Sequence, residues 1–179
     1  MDVLGVDPSL TMTGMAKSEA GLVSARRFAT SPVEGLAGMR RRIRWIVRAV
    51  LAFAPAECVT VIEAPVLASG GMSGEFVARC GLYHFLVDQL FVRGPVVAVA
   101  PPTRALYATG SGRAGKREVL ASMRARHPDV LIPDHNAADA LALCGMGARW
   151  SGHPIDPGLT GRPLEAMATP AWPQLKGDA

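Results

Sequence analysis

Two short apolar runs, each closed by a carboxylate with a proline close behind, constrain this chain more than any other feature. Val3-Leu4-Gly5-Val6 ends on Asp7 and Pro8, and Cys58-Val59-Thr60-Val61-Ile62 ends on Glu63, with Pro65 following. Short runs rich in branched apolar residues suit strands in the interior of a sheet. Proline cannot donate the next ladder hydrogen bond, so the strand stops there. A carboxylate at the end of a buried strand is costly unless a cation or hydrogen-bond donors meet it. Taken alone, Asp7 in Asp-Pro-Ser reads as a turn initiator. Two core strands ending in acids form a pattern that one turn motif does not explain.

The rest of the chain supplies elements to surround those strands. Thr13 to Ser18 and Leu22 to Phe28 read as strands joined at Glu19-Ala20-Gly21, making a three-stranded antiparallel meander with the first run. Ser31-Pro32-Val33-Glu34 reads as a helix start. Leu36, Met39, Ile43, Ile46 or Val47, and Val50 then follow at the spacing of one buried helix face, ending near Phe53-Ala54-Pro55. After a Gly/Ser-rich break at 68–74, a long helix is predicted over 75–91. Its apolar residues cover more than one stripe, which suits a second buried face against another subunit. Val96 to Ala100 is a further strand, and a short helix covers Thr103 to Ala108. The loop Thr109 to Gly115 is built of flexible-backbone residues. Lys116 opens a helix to about His127, and Pro133-Asp134 starts another that runs to about Arg149. The order predicts an α/β fold: a mixed five-stranded sheet, three antiparallel strands then parallel ones, flanked by helices. Residues 1–150 form the domain. Residues 151–179 are a Pro/Gly-rich, largely irregular tail with a short helix near Leu164 to Ala168.

Composition narrows the function classes. Of 179 residues, 49% are hydrophobic and 19% charged, a globular balance with room for one core. The chain has no apolar run of membrane-spanning length and no signal-like start, so a cytoplasmic protein is expected. Cys58, Cys80 and Cys144 form no CxxC pair and read as reduced thiols, and the four histidines form no zinc-type pair. The formal charge of +4 is unevenly spread. Arg40, Arg41, Arg42, Arg44 and Arg48 share a window without an acid, and Arg104, Arg113, Lys116, Arg117, Arg124 and Arg126 have only Glu118 among them. Such clusters fit a polyanionic partner, and equally a solvated helix face.

Asp139 lies in the small-residue helix Asn136-Ala137-Ala138-Asp139-Ala140-Leu141, which can approach a sheet closely. His135 and Asn136 fall on the same helix side as Asp139. Asp134 is placed as the N-cap. A lone helix aspartate usually faces solvent. If the two strand-end acids and Asp139 converge, they repel and raise one another's pKa values, and a bound divalent cation relieves this. Oxygen donors without paired histidines or cysteines favour Mg2+ or Mn2+. Two ions roughly 4 Å apart are a common arrangement for phosphodiester hydrolysis.

Asp7 in Leu-Gly-Val-Asp-Pro-Ser, Glu63 in Val-Ile-Glu and Asp139 in Ala-Ala-Asp-Ala-Leu-Ala-Leu together resemble the RuvC family of Holliday junction resolvases, within the RNase H-like nucleases. The resemblance covers about residues 1–150, and the ending Gly152-His153-Pro154 with Ala171-Trp172-Pro173 is similar to phage-encoded members. It implies an RNase H-like fold in a protein of a bacterial or phage-infected cell. It implies a homodimer through helix 75–91 that makes paired nicks in four-way or other branched DNA, with Mg2+ or Mn2+, two ions per site. Asp7, Glu63 and Asp139 would be catalytic metal ligands, and Lys116 would stabilise charge on the scissile phosphate. Arg104, Arg113, Lys116 and Arg117 would contact DNA. Asn136 stands where the family carries a fourth ligand, typically Asp. Its amide oxygen can coordinate but brings no charge, so His135 or Asp134 are further ligand candidates. Val66 and Leu67 stand where the family has an aromatic wedge, which points to weaker base unstacking.

Two other functions are compatible with parts of the pattern. An actin-like ATPase module also places Asp, Gly and Thr near a phosphate, but it needs two domains and a second phosphate loop. A catalytically weakened protein that binds branched DNA would follow from the missing charge at Asn136.

Overall fold

The computed structural model describes residues 1–66 and 73–174. The strands are β1 (Val3–Asp7), β2 (Met12–Glu19), β3 (Leu22–Ala29), β4 (Val59–Glu63) and β5 (Val96–Val99). They form one sheet in the order β3-β2-β1-β4-β5, with β1 antiparallel to β2 and β2 to β3, and with β4 parallel to β1 and to β5. This is the mixed sheet expected from the sequence. The helices are α1 (Gly35–Phe53), α2 (Gly74–Leu90), α3 (Pro101–Thr109), α4 (Lys116–Arg126) and α5 (His135–Trp150). Among the described residues no helix is long and apolar enough to cross a membrane.

Strand alternation sorts the core into two layers. Val3, Val59 and Val61 pack beneath α5, together with Tyr107, Val119 and Met123 from α3 and α4. Leu4, Val6 and Ile62 face the other way, against Ile46, Val47 and Val50 of α1 and Leu82, Leu86 and Leu90 of α2.

Helix α5 sits unusually close to the sheet because neither side carries bulk where they meet. A Cβ on Gly5 would run into the Ala140 carbonyl and the Cys144 amide, and one on Gly14 into the Asn136 carbonyl. Higher up α5, a Cβ on Gly147 would lie 2.6 Å from Val3 and 2.9 Å from Val61. The alanine-rich helix thus lies on backbone.

Three expectations for α1 need correction. The helix starts at Gly35, not at Ser31-Pro32. Glu34 is still extended, and Val33 folds back against Gly38 in the manner of a hydrophobic staple. Leu36, placed on the buried face by its spacing, is 90% exposed: it lies in the first turn, ahead of Gly38, where the buried stretch of the helix begins. Arg42 is 5% exposed. Its Nε donates to Thr30 Oγ1 at 2.9 Å, and that hydroxyl donates to the Leu10 carbonyl.

Between Trp150 and Trp172 the chain packs back on α3 and α5. A 3-10 helix, Arg162–Ala168, packs on α3, and the Trp150 and Trp172 rings stack with centroids 5.7 Å apart. The Asp156 carboxylate, 1% exposed, accepts from Tyr107 Oη at 2.9 Å and Arg149 Nη2 at 2.8 Å, with Arg126 at 3.4 Å. Cys58 and Cys144 are buried and Cys80 is half-buried, all three as free thiols.

Candidate metal and nucleic-acid site

Register brings the strand acids together. Val6 pairs with Ile62 across the parallel β1–β4 ladder, so Asp7 and Glu63 are the next residues along neighbouring strands, which run about 4.8 Å apart. By alternation both lie on the face covered by α5, in phase with Val3 and Val61. Asp7 also pairs with Gly14 of β2, the residue on which Asn136 rests. The close seat of α5 therefore brings Asn136 and, one turn on, Asp139 up to the strand ends.

The result is an open cleft lined by Asp7, Glu63, Asp139 and Asn136 together with Arg104 and Lys116. Pro8 and Ser9 turn the chain away beside it, held by a 2.7 Å hydrogen bond from Thr13 Oγ1 to the Ser9 carbonyl. Glu75 and Arg79, from the first turns of α2, close the opposite wall, and Tyr83 borders the Asp7–Glu63 end. Sequence reasoning missed these three. The signal was available: α2 follows β4 directly in the chain, and helices that follow such strands start at the edge where those strands end.

Arg104 takes a position that sequence reasoning did not assign to it. It is buried, and its fork joins two acids: Nε donates to Glu63 Oε2 at 2.7 Å, and Nη1 donates to Asp139 Oδ1. The expected contact with DNA backbone gives way here to an internal ion-pair bridge.

The electrostatics follow from that crowding. Burial, then the negative charges of Glu63 and Asp139, hold the Asp7 carboxyl well above the usual carboxylate range, against the pull of Arg104 and Lys116. Burial pushes Asp139 up to about 7, although the Arg104 guanidinium opposes this. The donor set, three carboxylates and an amide oxygen, fits a hard divalent cation, and Asp7 is the group most in need of one. In this conformation Arg104 already neutralises two of the acids. Among the described residues no three Asp, Glu, His or Cys side chains are gathered closely enough to enclose an ion. A cation held by Glu63 and Asp139 would compete with Arg104 for them.

The remaining candidates divide clearly. Lys116 Nζ lies 3.2 Å from His135 Nε2, and burial followed by the Lys116 charge lowers the His135 pKa, which leaves a neutral ring able to accept. His135 does not line the cleft, so it braces Lys116. Asp134 caps α5, accepting from the Ala137 amide at 3.0 Å, and pairs with Arg27 at 3.1 Å, away from the cleft. Arg113 and Arg117 are exposed beside Lys116 on the α3–α4 side and do not line the cleft. Val66 is half exposed just past the strand end, and Leu67 lies outside the described residues.

No family model and no curated protein matches the chain. Solved structures do. The RuvC structure from Thermus thermophilus aligns with a TM-score of 0.55 and 23% identity, over 86% of this chain and 98% of that one. The T. thermophilus RuvC in complex with Holliday junction substrate aligns with a TM-score of 0.58 and 21% identity, over the same shares. At such identities the likeness establishes architecture: this chain has the RNase H-like fold of RuvC.

Proposed function

We propose that this protein is a structure-specific endonuclease that cuts four-way and related branched DNA by divalent-metal-dependent phosphodiester hydrolysis. The observation that carries this reading is the convergence of Asp7, Glu63, Asp139 and Asn136 in one open cleft with Lys116 at its rim. A fold shared with a protein solved on a Holliday junction substrate supports the choice of substrate.

Asp7, Glu63, Asp139 and the Asn136 amide oxygen would hold the cation, Mg2+ or Mn2+. Once bound, it supplies Lewis-acid stabilisation of charge on the phosphodiester and a readier deprotonation of water. The chain's own groups do the rest. Lys116, braced by His135, presents an ammonium at the rim, where a phosphate oxygen gains charge in the transition state. Arg104 holds Glu63 and Asp139 in place, and with those acids on a cation its fork would be free to hold a phosphate. Water attacks phosphorus, the P–O3′ bond breaks, and a 5′-phosphate and a 3′-hydroxyl remain. Paired nicks call for two sites. Val77, Phe85 and Phe91 are exposed along and just beyond α2, and a homodimer through that helix covers them.

The test is cleavage of a synthetic four-way junction in Mg2+ or Mn2+ beside linear duplex, with Asp7→Asn as control. Asp7→Asn should bind the junction and leave it intact. Full cleavage by that variant removes the metal site from the account. Tight binding without cleavage by the unaltered protein in either metal favours the second reading, a branched-DNA-binding protein, to which Asn136 and the Arg104 bridge lend weight.

A further inference from the structure

The arginine run of α1 is left unused by the cleft, and its geometry is not that of an ordinary solvated helix. At 100° per residue, Arg40, Arg44, Arg48, Arg41 and Trp45 fall within an arc of about 140°. Ile46, Val47, Val50 and Phe53 occupy the opposite arc, in the core. All four of these arginines are exposed, and Trp45 is 52% exposed among them. A soluble helix normally mixes signs on its outer face. Here the whole of Gly35–Phe53 contains no acid, and none of the four forms an ion pair among the described residues.

Position gives the patch its meaning. Arg42, the buried member of the run, reaches through Thr30 to the Leu10 carbonyl, and Leu10 lines the cleft with Asp7. The N-terminal half of α1 therefore stands at the sheet edge where the carboxylates lie, and the exposed arginines lead away from it. From Arg40 to Arg48 the helix rises about 12 Å, comparable to three or four base-pair steps of duplex.

We propose that the exposed face of α1, Arg40, Arg41, Arg44 and Arg48 with Trp45, is a second nucleic-acid surface that seats the phosphate backbone of a duplex DNA arm leaving the cleft. As an arm of the cleaved substrate it rests on the function proposed above. As a duplex-binding surface it stands on the charge pattern alone. Unpaired guanidiniums at one-turn spacing match a line of phosphates, and they hold them by counterion release without reading sequence.

The experiment uses the full chain without divalent ions and a labelled linear duplex of about three helical turns. Anisotropy is titrated at salt concentrations between about 50 and 200 mM. Replacing all four residues (Arg40→Gln, Arg41→Gln, Arg44→Gln, Arg48→Gln) should flatten the log–log salt slope by about two to three and weaken binding by at least about tenfold. The pairs Arg40→Gln with Arg44→Gln and Arg41→Gln with Arg48→Gln should each take about half of that, which keeps the test valid if the fourfold variant misfolds. Duplex should change the tryptophan emission of the unaltered protein, and Trp45→Phe should remove the change. An unchanged salt slope in folded variants overturns the proposal. So does loss of binding to phosphatidylserine vesicles with duplex binding intact, which would make the face a membrane contact. If the variants lose duplex binding while the unaltered protein cuts no branched DNA, the surface stands and the nuclease reading falls. If junction cleavage is normal and the slope is unmoved, the reverse holds.

Discussion

Replacing Asp139 by Asn should make the metal-free protein more stable at pH 8, even though it removes an ion-pair partner of Arg104. Asp139 is 4% exposed at its side chain, and its carboxyl is pushed from 3.8 up to about 7. That rise already includes the opposing pull of Arg104. Between the two pKa values the folded state binds more protons than the unfolded state, so stability falls as pH rises through about 7. At 1.36 kcal/mol per unit, the raised pKa costs about 4 kcal/mol at pH 8, where the folded carboxyl is ionised, and about 2 kcal/mol at pH 5, where it has taken up a proton. Asparagine keeps the shape without the charge, so these are upper figures for its gain, reduced by the weaker bond to Arg104. The difference between the two pH values is the firmer quantity, about 2 kcal/mol. For a chain of this size it corresponds to roughly 4–8 °C in Tm. Urea or thermal unfolding of both proteins in EDTA at the two pH values measures it. If Asp139→Asn is the less stable protein at pH 8, or if its advantage is the same at both pH values, burial does not dominate the charge of Asp139 and the electrostatic account of the cleft is wrong.

Arg104→Gln should act in the opposite direction: it strands Glu63 and Asp139, and urea unfolding in EDTA at pH 8 should show a loss of about 3–5 kcal/mol. Adding Mn2+ should restore more stability to Arg104→Gln than to the unaltered protein, read as the shift in Tm, because the ion no longer competes with the guanidinium. Gly5→Ala puts a methyl group into the Ala140 carbonyl and should cost more than about 3 kcal/mol or prevent folding, with soluble yield and unfolding midpoint as readouts. Asp156→Ala leaves Arg149, Arg126 and Tyr107 without their shared acceptor, and should cost about 3–5 kcal/mol and change the emission of the stacked Trp150–Trp172 pair.

What could be read ahead of the structure was whatever local chemistry decides. A buried strand that ends on an acid before a proline announces both its end and its oddity, and parallel register then aligns Asp7 with Glu63 without further information. The alanines around Asp139 likewise declare a close approach, and glycines at positions 5 and 14 complete it. Asp134 followed its N-cap chemistry. Side chains whose partners come from distant elements were not legible. Nothing near Arg104 distinguishes an arginine that turns inward to two acids from one that faces a phosphate. Arg42 sits in a run of arginines and differs only by helical phase. Leu36 kept the apolar spacing of α1 but lies in its first turn, before the buried stretch begins at Gly38. Arg79 and Glu75 become part of the site only because α2 returns to the edge it left.

The seat of α5 on Gly5 and Gly14 separates two things that most sites keep coupled. The spacing of Asp7 and Asp139 is set by backbone resting on backbone, not by how well side chains fill a core. The layer under α1 and α2, with Leu82, Leu86 and Ile46, can therefore be repacked without resetting the spacing of Asp7 and Asp139. The carboxylate geometry works like a machined datum: the opposite wall, carried by Glu75 and Arg79, can be re-cut for a new substrate without moving it.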